Sequence, residues 1–517
     1  MRYATTKEIL MSDGETSRQD WRVLLEKLLS WWRENRVVSW CRKHRRSLIT
    51  GFVFFAHTLG ALTSVKALFE TRTPQGTIAW IISLNTIPYV AVPAYWVFGR
   101  SSFEGYIDAR QAEFADLDPV LQKAYQELFE EGFLLRTETE DFTTEEKIAR
   151  LPYTRYNDVE LLIDGEATFD SIIESIAEAE DYILVQFYIV RNDDLGNRLS
   201  DALLERAAAG VRIYFIYDEI GSYQLPAKWL KDCREGGIDI RPFNTRQGHT
   251  NRFQLNFRNH RKVVIIDGKT GFVGGHNVGN EYLGLSEEFG HWRDTHVKFE
   301  GPVVHATQVA FMEDWNWAAD SIPVLNWTPQ RAENGDVAAL SLPTGPSDEV
   351  ESCTLFFLHT INSAQDRLWI ASPYFVPDEQ IMSALQLAAL RGVDVRIMLP
   401  EDPDHLLVYL SSFSYLPTAE RAGIKIYRYG GGFLHQKAML VDDRYSAIGT
   451  ANFDNRSFRL NFEITMLFDD QDFNKKVEGM FLDDFEESRL LEAEELTERS
   501  FGFRFLVKCA RLLDPIQ

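Results

Sequence analysis

The chain has few cysteines and a deficit of positive charge. Its four cysteines, Cys41, Cys233, Cys353 and Cys509, stand far apart in 517 residues and form no C-x-x-C pair. This spacing supports neither a disulfide framework nor a zinc site, and it is typical of reduced thiols in a cytosolic setting. Lysine and arginine number 54 against 77 acidic residues, which gives a net charge of -23. That balance argues against a general nucleic-acid-binding protein, since such proteins carry a basic surface.

Fixed charge is absent from two long apolar stretches near the N-terminus, residues 47–65 and 77–98. Each is long enough to cross a membrane, because a helix needs about 20 apolar residues to span the hydrocarbon core. Pro88 and Pro93 would break a soluble helix but are tolerated in a membrane span. A signal peptide is a weaker alternative because some 46 residues precede the first stretch, and a buried core hairpin is weaker still. We therefore predict a two-helix transmembrane hairpin.

Basic residues determine the predicted orientation of this hairpin. Residues 31–46 carry six Lys or Arg against one Glu, whereas the loop at 66–76 carries two basic residues. The positive-inside rule then keeps the N-terminus in the cytoplasm, and two spans return the remaining chain there. We predict that residues 1–46 form a basic cytoplasmic segment. Within it, residues 20–40 fit either an interfacial amphipathic helix or a solvated helix.

The remainder of the chain contains one short motif twice. Both copies read H-x-K-x4-D and continue into a glycine-containing turn that ends in Asn, 17 positions after the His. The two copies are 175 residues apart. The duplicated positions are His260, Lys262, Asp267 and Asn277 in the first copy, and His435, Lys437, Asp442 and Asn452 in the second. A spacing repeated over this length indicates an internal duplication.

Strands and helices are also predicted in the same order in both halves. Apolar runs and helical periodicity give strand, helix and strand at 182–190, 197–209 and 211–217, and again at 368–371, 381–390 and 393–399. This order predicts an α/β fold of two similar lobes, with mixed sheets flanked by helices. We assign residues 157–340 and 341–517 to the lobes, and residues 99–156 to an acidic connector.

The repeated residues suit attack on a phosphodiester. A neutral imidazole can attack phosphorus to give a phosphohistidine, and a second, protonated imidazole can give its proton to the departing alkoxide. Lysine and asparagine side chains can hold the non-bridging oxygens as negative charge builds. This chemistry needs neither a metal nor another cofactor. Each motif Asp closes its strand, and we interpret it as a structural cap or ion-pair partner in preference to a reactive group.

Other charged residues lie near the two motifs. Asp294 and Glu463 follow in later strands and are predicted to fix the tautomers of the histidines, with a buried structural ion pair as the alternative. Five arginines flank the motifs, which predicts a basic site for an anionic substrate in an acidic protein: Arg258, Arg261, Arg293, Arg456 and Arg459.

The duplicated motif resembles the HKD signature of the phospholipase D superfamily. The longer phrases at 256–262, 274–277, 292–296, 435–437 and 449–463, with those at 72–80 and 98–100, look like the bacterial cardiolipin synthase family. The resemblance extends from about residue 50 to the end of the chain. Position 275 is Gly where the superfamily commonly has Ser or Thr, so we expect the first phosphate cradle to lack the hydroxyl that Thr450 keeps in the second.

This resemblance implies two phospholipase D-type lobes and a phosphatidyltransferase that converts two phosphatidylglycerol molecules into cardiolipin and glycerol. It implies that phosphate is bound by Asn277, Asn452 and Thr450, and that His260 is the nucleophile and His435 the acid. The residues alone also allow the reverse. The implied catalytic set is His260, Lys262, Asp267, His435, Lys437 and Asp442. The expected partners are phosphatidylglycerol and cardiolipin in a bacterial inner membrane, with the lobes on its cytoplasmic side and no nucleic acid bound.

Three alternatives use the same motif differently. Another membrane-bound phosphatidyltransferase or a phospholipase D hydrolase would differ only in the acceptor. A nuclease of the superfamily would be soluble and basic, and a non-enzymatic scaffold would have lost a motif His or Lys. At the C-terminus, residues 501–513 have an apolar face with basic interruptions, which fits either docking on the inner leaflet or packing on the second lobe.

Overall fold

The chain folds into two units that divide after Gly99. The computed structural model describes Trp40 and residues 43–99, 103, 105–107, 122–135, 140–244, 256–491 and 499–514. The predicted N-terminal segment, residues 1–46, therefore lies almost entirely outside the described residues, as does part of the predicted connector at 99–156.

Three helices form the described part of the first unit: α1 (Arg45–Glu70), α2 (Pro74–Thr86) and α3 (Pro88–Phe98). Helix α1 has 26 residues and is the one described helix that is long and apolar enough to cross a membrane. The single second span predicted over 77–98 is instead interrupted at Ile87, whose φ of -132° and ψ of 59° are not helical. Pro88 causes the break because it lacks an N–H and restricts the residue before it.

Small residues let the helices of this unit approach closely. A Cβ on Gly60 would lie 2.2 Å from the carbonyl oxygen of Leu84, so α1 and α2 touch backbone to backbone. Across the same interface Asn85 Nδ2 donates to Ser64 Oγ at 2.8 Å. The outer surface exposes large apolar side chains, among them Phe52, Phe54, Phe55, Leu62, Phe69 and Ile82. Small residues between the helices and an apolar exterior are typical of helices packed in a bilayer.

The second unit contains twenty described strands. Those of the first lobe are β1 (Thr154–Ile163), β2 (Tyr182–Phe187), β3 (Arg212–Asp218), β4 (Ile238–Phe243), β5 (Arg258–Asn259), β6 (Val263–Ile266), β7 (Thr270–Gly274), β8 (Trp292–Arg293) and β9 (Thr295–Glu300). Those of the second lobe are β10 (Val337–Thr344), β11 (Arg367–Ala371), β12 (Phe375–Val376), β13 (Asp394–Pro400), β14 (Lys425–Tyr429), β15 (Phe433–Leu434), β16 (Ala438–Val441), β17 (Tyr445–Gly449), β18 (Phe453–Asp454), β19 (Asn461–Asp469) and β20 (Ser488–Leu490).

The helices of this unit form between the strands and have an apolar stripe at helical spacing. In α5, for example, Phe169, Ile172 and Ile176 are fully buried. The helices are α4 (Glu140–Ala149), α5 (Asp164–Ala177), α6 (Asp194–Ala208), α7 (Ala227–Glu235), α8 (Val303–Ala319), α9 (Ser352–Ser363), α10 (Glu379–Leu390), α11 (Leu406–Ser412), α12 (Leu416–Arg421), α13 (Asn455–Arg459), α14 (Gln471–Glu486) and α15 (Phe501–Arg511).

The strand order repeats on either side of the junction between the lobes. It runs β4-β3-β2-β6-β7-β9-β1 in the first lobe and β14-β13-β11-β16-β17-β19-β10 in the second. Strands β1 and β10 pair antiparallel and join the two series into one sheet. The first three strands of each series are parallel and the others antiparallel. The predicted α/β fold with mixed sheets is confirmed. The predicted first residues of the two lobes, 157 and 341, fall inside β1 and β10.

The two motif strands lie within this sheet and are completely buried. Every residue of β6 and β16 is inaccessible to solvent or nearly so. Strand β6 lies between β2 and β7, and β16 lies between β11 and β17. Burial on both faces explains why these strands are continuous apolar runs and do not alternate. The histidine and lysine of each motif therefore lie at the same end of equivalent central strands.

Candidate active site

Each motif histidine is held by a strand of the other lobe. Strand β5, just before His260, pairs in parallel with β19 of the second lobe, and β15, just before His435, pairs in parallel with β8 of the first. The His260 N–H donates to the carbonyl of Phe462 at 2.9 Å, and the His435 N–H donates to the carbonyl of Arg293 at 2.8 Å. Because these bonds cross between the lobes, both histidines lie where the lobes meet.

The same exchange pairs each imidazole with a carboxylate of the opposite lobe. His260 Nδ1 lies 2.9 Å from Glu463 Oε2, and His435 Nδ1 lies 2.7 Å from Asp294 Oδ2. Both carboxylates are fully buried. The two acids predicted to orient the histidines therefore contact them, but in a crossed arrangement that the spacing did not indicate. With Nδ1 engaged, Nε2 of each ring is left to face a substrate.

The motif lysines lie beside their own histidines. Lys262 Nζ donates to the carbonyl of His260 at 2.7 Å. Lys437 Nζ donates to the carbonyl of His435 and lies 2.9 Å from its Nδ1. Burial lowers the pKa of Lys262 to about 7 and the pKa of Lys437 to about 8. Two ammonium groups held in a buried site can stabilise negative charge that develops on a phosphate.

Burial also lowers the pKa of both imidazoles. It brings the pKa of His260 to about 4, outweighing the opposing effect of the Glu463 charge. Burial and the positive charges of Lys437 and Lys262 hold the pKa of His435 well below its usual range. Burial acts to raise the pKa of Glu463, but the nearby His260 and its hydrogen bond keep that pKa below its ordinary value. At neutral pH, therefore, a neutral imidazole faces an ionised carboxylate, which suits nucleophilic attack.

Asp267 and Asp442 lie at the opposite ends of β6 and β16 from the histidines. The carboxylate of Asp267 accepts hydrogen bonds from the N–H groups of residues 180–182, each at 2.8 Å. Asp442 accepts equivalent bonds from residues 365–367 at 2.8 to 3.0 Å. Both residues adopt left-handed backbone conformations, with φ of 54° and 53°. These contacts brace the starts of β2 and β11, which agrees with the interpretation of each motif Asp as a structural cap. The described contacts of the two aspartates are structural, and their place in the catalytic set stays a prediction.

The two asparagines differ in their free hydrogen-bonding capacity. Asn277 Oδ1 accepts from the N–H of Ile189 at 3.0 Å, and its Nδ2 donates to the hydroxyl of Tyr282 at 3.1 Å. The buried Oδ1 of Asn452 has no hydrogen-bond partner among the described residues. A phosphate oxygen accepts hydrogen bonds, so only the Nδ2 group of an asparagine can donate to it. In Asn277 that group donates to Tyr282, and the side chain holds the loop after β2.

Thr450 contacts the orienting acid, a contact that the sequence did not predict, and its role as a phosphate ligand stays a prediction. Its hydroxyl donates to Glu463 Oε2 at 2.6 Å, and it also accepts from the N–H of Ile464 at 2.9 Å. In the first lobe the equivalent space beside Gly275 is filled by the acid itself, because a Cβ on Gly275 would lie 1.9 Å from Asp294 Oδ1. The glycine therefore makes room for Asp294.

Sequence reasoning missed the groups that hold Glu463 and the rings that flank the histidines. Glu463 Oε1 accepts from Ser457 Oγ at 2.8 Å and from Asn461 Nδ2 at 3.1 Å. The ring of Tyr188 lies 5.0 Å from that of His260, and the ring of Trp292 lies 5.1 Å from that of His435. Ser457 and Asn461 stand within six residues of Glu463, which is the one signal in the sequence that could have found them.

Three of the five flanking arginines are neutralised within the protein. Arg261 pairs with buried Asp314, Arg293 with buried Asp484, and Arg459 with Glu351 and Asp378.

The remaining two arginines, Arg258 and Arg456, are half-buried and lie together. Arg456 Nη2 donates at 2.6 Å to the carbonyl of Asn256, two residues before Arg258. Burial and the charge of Arg258 lower the pKa of Arg456. Arg258 is two residues before His260, so this positive pair lies beside the site.

Comparison with known proteins agrees with this geometry. The family described as "Cardiolipin synthase, PLD-like domain" matches residues 172–315 and 357–485. Cardiolipin synthase A of Pseudomonas putida (strain GB-1) is 47% identical over 463 residues, covering 89% of this chain and 96% of that protein. The enzyme of the same name from Pseudomonas fluorescens (strain SBW25) is 46% identical over 472 residues, covering 91% and 98%. The crystal structure of phosphatidylserine synthase from Haemophilus influenzae Rd KW20 has the same fold, with a TM-score of 0.58 at 18% identity, and covers 73% of this chain and 100% of that one.

Two duplicated lobes that each supply one H-x-K histidine to a shared site define the phospholipase D superfamily. Within that superfamily the chain belongs to the cardiolipin synthase family, and it is a phosphatidyltransferase.

The close contact at Gly275 predicts a loss of activity without a loss of fold. In Gly275→Ala the new methyl group displaces the Asp294 carboxylate and, through it, the ring of His435. Misplacing a catalytic group by about 1 Å can cost on the order of 100-fold in rate, and we expect kcat to fall by about that factor. Gly479→Ala is the matched control because nothing lies within 4 Å of its added Cβ. Equal kcat in the two variants, with equal Tm, would contradict the contact.

With a phosphatidyl ester of p-nitrophenol, whose leaving group needs no acid, the pKa shifts predict a bell-shaped pH profile of kcat/KM for nitrophenol release, which reports on the free enzyme. With His260 as the proposed nucleophile, which attacks only when its imidazole is neutral, activity rises as pH increases through about 4. The lysines must be charged to hold phosphate, so activity falls as pH increases through about 7. In Lys262→Arg the alkaline limb should move toward about 8, the pKa of Lys437. An alkaline limb that stays at its wild-type position would contradict this assignment.

Proposed function

We propose that this chain transfers a phosphatidyl group from one phosphatidylglycerol to the hydroxyl of another, releasing glycerol and forming cardiolipin. The observation that carries the proposal is the pair of imidazoles, each with Nδ1 on a buried carboxylate of the other lobe, which leaves Nε2 as the nitrogen that can react. Family membership narrows phosphodiester transfer to this reaction.

In the first half-reaction His260 Nε2 attacks the phosphorus of the donor, and the bond from phosphorus to the glycerol oxygen breaks. The departing oxygen takes a proton from His435, so glycerol leaves neutral and a phosphatidyl-histidine remains. His435 must be protonated for this step. Burial and the charges of Lys437 and Lys262 lower the pKa of His435, and the negative phosphodiester favours the protonated form because it offsets those charges.

In the second half-reaction His435, now neutral, accepts the proton of the incoming hydroxyl. That oxygen attacks the phosphatidyl-histidine, cardiolipin forms, and His260 is regenerated. The acceptor phosphatidylglycerol brings a second phosphate that does not react. We propose that Arg258 and Arg456 bind that anion, since they are half-buried and lie beside His260. This gives the acceptor lipid an advantage over water, which carries no charge.

We further propose that the first unit anchors the enzyme as a multi-pass segment of a bacterial inner membrane, with the lobes on the cytoplasmic side. The support is helix α1, which can cross a bilayer, the apolar exterior of α1, α2 and α3, and the basic residues at 31–46. A bilayer-bound site would meet both lipid substrates at high local concentration.

The reaction is tested with the purified full-length chain and phosphatidylglycerol labelled in its phosphate. We expect labelled cardiolipin with an equal amount of glycerol, resolved by chromatography. His260→Ala and His435→Ala should each lose at least about 1000-fold, as removal of a catalytic acid or base does. Phosphatidic acid as the main product would indicate a hydrolase, and a different acceptor requirement would indicate another phosphatidyltransferase.

The crossed pairs make opposite predictions for the two orienting acids. With a phosphatidyl ester of p-nitrophenol the leaving group needs no acid, so formation of the intermediate depends on His260 alone. Asp294→Asn should then give a burst of nitrophenol followed by slow turnover, because His435 has lost its carboxylate. Glu463→Gln should give no burst, since it impairs the nucleophile. The reverse pattern would make His435 the nucleophile, and equal bursts in both variants would contradict the crossed arrangement.

A further inference from the structure

The C-terminal helix α15 packs on the second lobe through one face. Ser500 caps its start, accepting from the N–H of Phe503 at 3.3 Å. Val507 and Ala510 are buried, and the ring of Phe503 meets that of Phe413 edge-on at 5.2 Å. This face explains why the helix is fixed to α11. The packing alternative raised from the sequence is therefore present, but it leaves other residues of the helix exposed.

The opposite face is apolar and open to solvent. Phe501 is 76% exposed, Phe505 59% and Leu512 80%. Their spacing of four and seven residues aligns them along one side of the helix. Cys509 lies on the same side and is also exposed. The packed inner face holds this row of large apolar side chains in solvent, where their exposure is unfavourable. Such a patch is typical of a surface that binds a partner or a membrane.

Basic residues border this row along one flank. Arg504, Lys508 and Arg511 are exposed and recur at intervals of three and four residues, so they lie on one side of the helix. They stand out in a chain whose net charge is -23. An apolar face with aromatic residues and a cationic border matches the boundary between the acyl chains and the anionic head groups of a bilayer. A protein partner would need acidic groups arranged around an apolar groove.

We propose that the outer face of α15 docks on an anionic lipid surface, forming a membrane contact of the second lobe in addition to the helices of the first unit. Phe501, Phe505 and Leu512 enter the interface, and the three basic residues meet the lipid phosphates. The proposal concerns the attachment of the lobe and does not depend on which lipid the enzyme converts.

Cys509 provides a direct probe of this docking in the full-length chain. Cys233 and Cys353 are buried, so with Cys41 replaced by Ser a polarity-sensitive fluorophore can be attached at Cys509 alone. The protein is reconstituted in phosphatidylcholine vesicles with or without phosphatidylserine, and spin-labelled lipids quench the probe from the head-group or mid-bilayer depth. The control carries the probe on Lys228→Cys in a Cys509→Ser background, since that lysine side chain is 85% exposed on the first lobe.

We expect the Cys509 probe to shift to shorter wavelength and to be quenched from head-group depth on the order of threefold more than the control probe, more strongly when phosphatidylserine is present. Quenching equal to that of the control would overturn the proposal. A shift that develops in detergent without lipid and grows with protein concentration would also overturn it, because a second copy of the chain would then cover the face.

Surface variants separate the apolar and charged contributions. Phe501→Ser with Phe505→Ser should abolish the excess quenching in all vesicles, whereas Arg504→Glu with Lys508→Glu should abolish only the gain from phosphatidylserine. Val324→Ser, which alters a 77% exposed apolar side chain elsewhere, is the matched control. Because these side chains are exposed, Tm should be unchanged. Excess quenching that survives both double substitutions would contradict the docking face.

Discussion

The active site depends on the exchange of hydrogen bonds between the two lobes. His260 is fixed by the backbone of Phe462 and the carboxylate of Glu463, and His435 by the corresponding atoms of Arg293 and Asp294. Neither lobe contains a complete imidazole–carboxylate pair, so neither could perform the reaction alone. The antiparallel pairing of β1 with β10 holds the lobes in one sheet and thereby keeps the distances between these groups constant.

Burial gives these groups their chemical properties. Removing solvent disfavours charge on both imidazoles and both motif lysines, which brings the pKa of Lys262 to about 7 and that of His260 to about 4. An anionic phosphodiester restores favourable electrostatics, so the site is better matched to its substrate than to water. Buried polar groups also need hydrogen-bond partners. The Glu463 carboxylate accordingly accepts hydrogen bonds from four side chains, those of His260, Thr450, Ser457 and Asn461.

Surface chemistry differs between the two units in a way that fits a membrane enzyme. The first unit exposes large apolar side chains around closely packed helices, whereas the helices of the second bury an apolar stripe, as α5 does. Helix α15 combines both properties, since one face belongs to the core of the second lobe and the other resembles an interfacial helix. The proposed docking of α15 would limit the motion of the lobe relative to the lipid surface.

The sequence by itself determined the chemistry and the duplication. The spacing within each motif is local, and the apolar runs mark the central strands. Asp294 and Glu463 could be predicted to orient the histidines because each is an acid in a strand that follows its motif. Only the tertiary structure decided which acid serves which histidine, because the partners are 203 and 141 residues apart and meet through strand exchange between lobes. It likewise placed the Thr450 hydroxyl on Glu463 and divided the second apolar stretch at Pro88. Such outcomes depend on where side chains point after packing, and no spacing along the chain encodes that.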